Sequence, residues 1–252
     1  MLALLPVDGL PEIRPGDDLP ALLAKRLRAG ASPALANGDV LVVTQKIVSK
    51  AENRFVALAD VTPSARAVTL AQQTNKEAAL VELVLRESTD IVRAAPHVLI
   101  TRHRLGHIMA NAGIDASNIG QADAAKVLLL PEDPDASAAV IRAHLLEHLG
   151  LDVAVIISDS FGRPWRMGTI NVAIGVAGMA ALFDERGKAD RDGRELQMTQ
   201  IAVADAIAAG AGLVMGEGSE GIPVTVVRGW VDHGTAQTSA SLLRPQTEDL
   251  FR

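Results

Sequence analysis

The sequence contains no cysteine and no tyrosine among its 252 residues, and only two tryptophans and four phenylalanines. Without cysteine there is no disulfide, no thiolate zinc centre and no cysteine nucleophile, which suits a reducing compartment and makes the cytoplasm the expected location. Aromatics at 2% supply base-stacking platforms and aromatic carbohydrate clefts poorly. There is no surplus of positive charge either: 24 Lys and Arg against 30 Asp and Glu give a net charge of −6. A chain so balanced offers no general surface for a nucleic-acid backbone or an anionic membrane, so neither partner is expected. Apolar runs such as residues 153–157 and 174–181 stop far short of the ~20 residues that a membrane-crossing helix needs. The apolar start, residues 1–6, follows no basic segment and meets Asp8 at once, so no export signal is expected. The G-x-S-x-G nucleophile elbow and the G-x-x-x-x-G-K-[ST] phosphate loop are also missing, which weakens serine hydrolases and P-loop NTPases as readings.

What is present describes a folding domain: 48% hydrophobic and 21% charged residues, near the globular average. Asp18 before Leu19 and Pro20 predicts a helix through Arg28, with Gly30 as its stop. Thr62-Pro63 predicts a second helix start and Asn75 a third cap, while residues 134–149 carry helical periodicity ended by Gly150. Short β-branched runs at 40–43, 97–101, 153–157 and 224–227 predict strands. Paired strands around residues 104–106 and adjacent helices after Thr62 break the strict alternation of a doubly wound sheet, so a mixed α+β fold is expected. The polar stretch 184–195 is the one candidate for a flexible exposed loop in an otherwise single domain spanning 1–252.

Four clusters could carry chemistry. In the first, a strand at 40–43 runs into Thr44, Gln45, Lys46, Ser49 and Lys50, whose ammonium groups suit phosphate; taken alone, the segment is explained more simply as a core strand followed by a solvated basic face. The second, residues 111–118, places Asp115 and Asn118 three apart among small residues, as an oxygen-ligand site for a hard cation or as plain Asx-turn capping. The third follows the strand at 153–157 and joins Asp159 and Ser160 to Arg163 and Arg166, pairing a metal carboxylate with anion-binding forks; a salt-bridged turn is the alternative. The fourth, residues 216–221, matches G-x-G-x-x-G, but it follows a helix-like run (197–213) and precedes a strand, the reverse of the dinucleotide fingerprint. It is not a Rossmann loop. Its amides could still wrap a phosphate, with Glu217 available to a cation. His144 and His148 share a helix face but lack a third ligand, so zinc is not expected.

Taken in order, these segments resemble the coenzyme F420-0:L-glutamate ligases. The resemblance runs from Gly9-Leu10-Pro11 and Gly16-Asp17-Asp18-Leu19 through VTQKIVSKAE, ANAGIDASN, LLLPEDPDASA, ISDSFGRPWRMG, VAIGVAGM, GRELQMT and VADAIAA to MGEGSEGIPVTVVRG, nearly the whole chain. It implies GTP-dependent amide formation: the terminal carboxylate of coenzyme F420-0 takes the γ-phosphoryl group of GTP, and the amine of L-glutamate then displaces phosphate. It implies two divalent-metal sites, for Mn2+ or Mg2+, with Asp115, Asp159, Ser160 and Glu217 as ligands, and a monovalent cation such as K+. GTP contacts carried over by motif are Gly9, Leu10, Pro11, Glu12, Gln45, Lys46, Lys50, Asn118, Met215, Gly216, Glu217, Gly218, Ser219, Glu220, Gly221 and Ile222. Beside Asp159, Arg163 and Arg166 are expected to hold the anionic acceptor or acyl phosphate, since guanidinium forks suit both. The resemblance also implies two intertwined parts in one α+β domain and a homodimer whose partner shapes the site. Ser160 stands where threonine is common in the family, which keeps the hydroxyl. Two other readings are open: an amide ligase for a different carboxylate acceptor, and a non-catalytic nucleotide or deazaflavin carrier, which would be expected to lose the metal ligands that this chain keeps.

Overall fold

The computed structural model describes residues 1–28, 33–117, 126–232 and 234–249. Along them run β1 (Ala3–Pro6), α1 (Leu19–Arg28), β2 (Val40–Thr44), α2 (Gln45–Ala51), β3 (Phe55–Ala57), α3 (Ala65–Thr74), α4 (Ala78–Arg86), β4 (Ser88–Ala95), β5 (Val98–His103) and β6 (Ile108–Ala110). Then follow β7 (Lys126–Leu128), α5 (Pro134–Leu149), β8 (Ala154–Arg163), β9 (Arg166–Ala177), β10 (Leu182–Asp184), β11 (Gln200–Ala202), α6 (Val203–Met215) and β12 (Val224–Arg228). Mixed sheets with interleaved helices make this an α+β fold, as the strand and helix rhythm of the sequence predicts.

The central sheet has five strands in the order β1-β12-β2-β8-β9. Only β2 and β8 are parallel; the other pairs are antiparallel. Because side chains alternate across a strand, its residues sort between two cores. Leu41, Val43, Val155, Ile157 and Val226 pack under α1, α2 and α5, whereas Val40, Val42, Ile156 and Val227 pack under α6. Each such fully buried aliphatic side chain stabilises the fold by roughly 1.5–3 kcal/mol, so both faces of the sheet are held. The chain between β2 and β8 builds a second part, in which β4-β5-β6 and α3 and α4 enclose a smaller core around Val81, Val84 and Leu99.

Capping explains the helix boundaries. Asp18 Oδ1 accepts from Ala21 N at 3.0 Å at the start of α1, and Asp133 Oδ1 accepts from Ala136 N at 3.0 Å at the start of α5. Gly150 ends α5 as expected, while Gly30 lies outside the described residues. Two expectations are corrected. The helix after Thr62 is capped by Ser64, whose hydroxyl accepts from Ala67 N. Asn75 ends that same helix in the left-handed region (φ 51°) and does not begin the next one; a short amide side chain tolerates that conformation at a C-cap as well as it caps an N-terminus.

A third correction shapes the site. The strand predicted at 153–157 does not give way to a loop but continues as β8 through Arg163. Its partner β2 stops at the pair Thr44 and Ser158, so beyond that point β8 and β9 pair only with each other as a two-stranded arm. At the base of the arm Ile157 faces Gly175 and Ser158 faces Ala173, leaving Ile174 as an extra residue in β9. Such a bulge sharpens the local twist and re-aims the side chains beyond it. The stretch 197–202, expected to be helical, contains β11, and the 184–195 stretch is the exposed connection of the β10–β11 hairpin, cross-linked by Gly187 N to Leu196 O and Asp190 N to Arg194 O.

Candidate active site

Beside the C-terminal end of β2, at the root of the β8–β9 arm, lies a cavity of about 500 Å³. Its walls come from five separate stretches of chain: residues 10–13, the β2–α2 junction, Asp115, the arm, and the loop leaving α6. Of the residues that the sequence singles out, Leu10, Pro11, Glu12, Gln45, Lys46, Lys50, Asp115, Asp159, Ser160 and the run 215–222 all line it. Gly9 sits next to the wall but not on it. Asn118 lies outside the described residues. Arg163 and Arg166 are not brought into the cavity: they pair with each other at the far end of the arm, where Arg163 Nη2 donates to Met167 O at 3.2 Å. The cavity walls also include Thr44, Ile47 and Pro223, which lie within quoted motifs, and Ile13 and Asn171, which no motif flagged.

α2 begins at once after β2, so the first and second turns of the helix deliver Gln45, Lys46, Ser49 and Lys50 to one region. Ser49 Oγ donates to Gln45 Oε1 at 2.9 Å, which orients the amide so that Nε2 donates to Asp115 Oδ2, also at 2.9 Å. Lys46 Nζ stands 3.4 Å from the same oxygen and donates to Ser117 O at 3.1 Å. Lys50, buried along its stem, pairs with Glu12 Oε1 at 2.5 Å. Two lysines, one amide and two carboxylates are thereby tied into the wall.

Asp159 stands apart. Its carboxyl is pushed up to about 7, first by burial and then by the negative charges of Asp115 and Glu217, against which a backbone hydrogen bond at Ser160 and the charge of Lys46 act. Three carboxylates in one low-dielectric cleft repel one another, and a cation placed among them would relieve that repulsion. Among the described residues no three acidic or histidine side chains close around a single point. The set therefore suits a hard cation that takes one or two carboxylates and completes its shell with water and phosphate oxygens, as magnesium does, better than an all-protein cage. The stacked His144 and His148, rings 3.9 Å apart on α5, gather no third ligand among the described residues.

The glycine-rich loop forms another part of the wall. α6 ends at Gly216, whose φ of 70° needs a residue without a Cβ. A Cβ there would sit 2.2 Å from the Glu220 carboxyl carbon, because that carboxylate is folded back under the loop and accepts from Gly218 N at 2.8 Å. An anion thus already occupies one backbone amide of the loop. The order helix, loop, strand confirms that these glycines do not form a dinucleotide fingerprint.

Compared with known proteins, residues 9–229 match the family model described as F420-0:Gamma-glutamyl ligase. The chain is 42% identical over 253 residues to the coenzyme F420:L-glutamate ligase of Methanothermobacter thermautotrophicus, covering all of this chain and 99% of the relative. It is 42% identical over 255 residues to the protein of that name from Methanopyrus kandleri, of which it covers 98%. With the one from Archaeoglobus fulgidus it shares 43% over 249 residues, 99% of this chain and 96% of the relative.

Proposed function

The chain belongs to the F420-0:γ-glutamyl ligase family and is an amide-bond-forming ligase, and from that premise we propose that its cavity joins L-glutamate to the terminal carboxylate of coenzyme F420-0 at the expense of GTP. The observation that carries this reading is the meeting, in one cleft, of three carboxylates, two lysines and a loop whose amide holds an anion. A triphosphate is the ligand such a wall fits. Lysine charges and loop amides face phosphate oxygens, and the carboxylates Asp115, Asp159 and Glu217, with the Ser160 hydroxyl, would hold divalent Mg2+ or Mn2+. When bound, these ions would draw charge from the phosphoryl oxygens as it develops; a monovalent cation such as K+ is part of the same proposal.

In the reaction proposed, a carboxylate oxygen of the acceptor attacks the γ-phosphorus of GTP. The P–O bond to GDP breaks and an acyl phosphate forms. The glutamate amine then attacks the acyl carbon, the C–N bond forms as the C–O bond to phosphate breaks, and the proton lost from nitrogen leaves with the released phosphate. No side chain has to act as nucleophile, so the residues serve by placing reactants in line. Gln45 and Lys46 hold Asp115 in place, and the Gly216 to Ile222 segment wraps the phosphates.

The proposal extends to a cytoplasmic homodimer. Among the described residues no helix is long and apolar enough to cross a membrane. Trp165 at the tip of the arm is 88% exposed and Met167 96%, and Trp165 occupies the left-handed region (φ 63°) that suits glycine or asparagine far better than a bulky side chain. A strained, exposed tryptophan on a projecting hairpin is what a contact with a second copy would use. Such a contact would carry Arg163 and Arg166 toward the partner's acceptor rather than into their own chain's cavity.

The test is GDP release by purified protein given GTP, Mg2+ or Mn2+, L-glutamate and F420-0. Release that requires both the acceptor and glutamate, and that Asp159→Asn lowers by roughly a thousandfold or more, supports the proposal. Near-normal release by Asp159→Asn contradicts it.

A further inference from the structure

Asn171 lines the cavity although no motif singled it out. It stands opposite Ser160 across the β8–β9 arm, so the two side chains leave the same face. On its other side it meets α6 at Gly212. A Cβ at that glycine would lie 2.4 Å from Asn171 Oδ1 and 2.7 Å from Cγ, closer than real Cβ atoms approach anything. Gly212 lies inside α6 rather than at its end, where glycine costs about 1 kcal/mol relative to alanine. The close approach accounts for it. The helix is registered on the same strand two residues further along, where Asp205 Oδ1 accepts from Ala173 N at 2.9 Å.

The amide so placed has no hydrogen bond of its own among the described residues, although it offers two donors and an acceptor. Its neighbours on the wall are committed: Lys46 to Asp115 and Lys50 to Glu12. Resting on the nucleotide reading above, we infer that Asn171 contacts an oxygen of the transferring γ-phosphoryl group, as an uncharged donor beside the carboxylates, and that Gly212 is the residue that positions it. A divalent ion held by those carboxylates would draw the β- and γ-phosphoryl groups to this wall, and of the two it is the γ-phosphoryl group that is transferred. A neutral donor reaches it without competing for that ion.

Isothermal titration with a β,γ-imido GTP analogue and with GDP, both with Mg2+, separates the possibilities. Asn171→Ala should weaken the analogue by roughly 10- to 100-fold, the scale of one hydrogen bond to a charged group, and leave GDP within about twofold. Gly212→Ala should act in the same direction, and the double variant should bind no more weakly than Asn171→Ala alone, because the glycine works only through the amide. Should Gly212→Ala melt too low to assay, the Asn171→Ala titration decides. Unchanged analogue binding in Asn171→Ala, or an equal loss for GDP, overturns the role of Asn171 while the nucleotide reading stands. Wild-type protein that binds neither ligand sinks that reading itself.

Discussion

Gln45 Nε2 donates to Asp115 Oδ2 at 2.9 Å, bridging residues 70 apart in the chain. The bond connects the first residue of α2, at the end of a core strand, to a carboxylate delivered by the second part of the fold, and Ser49 holds the Gln45 amide from behind at 2.9 Å. Gln45→Ala should leave the Asp115 carboxylate held by Lys46 alone, at 3.4 Å. The expected outcome is a rise of roughly tenfold in the Mg2+ concentration for half-maximal activity, the scale of one charge-assisted hydrogen bond, with GTP saturation at excess Mg2+ changed less. A metal titration of the variant checks this.

Glu220 occupies the loop amide at Gly218 that a phosphate oxygen would use. A ligand entering there has to displace a like-charged group. Glu220→Gln, which keeps the shape and removes the charge, should tighten GTP binding by about two- to fivefold, the range of an exposed charge interaction. Titration of nucleotide into both proteins reads the difference, and weaker binding by the variant would show that Glu220 shapes the loop instead.

His107 is buried against Phe161 of β8, rings 5.8 Å apart and edge to face. Burial and the neighbouring His103 push its pKa down to about 4. The folded state therefore holds the ring neutral, while the unfolded chain takes a proton near pH 6.5. The stability this neutrality contributes is fully present above pH 6.5 and is lost as pH falls toward 4, by at most on the order of 3 kcal/mol. Urea midpoints at pH 7 and pH 4.5 should differ by more for the wild type than for His107→Gln, which has no proton to gain.

The arm tip carries the prediction on assembly. Trp165→Ser with Met167→Ser removes the two most exposed apolar side chains of the hairpin. Sedimentation should shift from dimer to monomer with the melting temperature of the isolated fold little changed. A wild type that sediments as a monomer would remove the homodimer from the account.

The residues that were legible from sequence are those whose chemistry is local. Asp18, Asp133 and Gly150 mark helix ends because capping acts within one turn. Val40 to Val43 read as a core strand because all four are apolar. Asn75 reads as a helix start and proves a helix end, since one residue type serves both. Ser158 to Ser160 read as a loop because polar residues outweighed the pairing that β9 supplies 11 to 15 residues later. The same long-range register hides Asn171, whose only local sign is a polar residue in an apolar stretch, and it separates Arg163 and Arg166 from the Asp159 they neighbour in sequence. The carboxylates Asp115, Asp159 and Glu217 stand out one by one in separate local clusters, the family resemblance groups them as metal ligands, and the folded chain lines one cleft with them.

The most direct test of the central claim is mass spectrometry of the deazaflavin after incubation of the protein with GTP, Mg2+ or Mn2+, L-glutamate and F420-0. The account predicts a product heavier by one or more glutamyl units, formed only when GTP is present and accompanied by GDP. Recovery of unmodified F420-0 from protein that binds and hydrolyses GTP would contradict it and point to a different carboxylate acceptor.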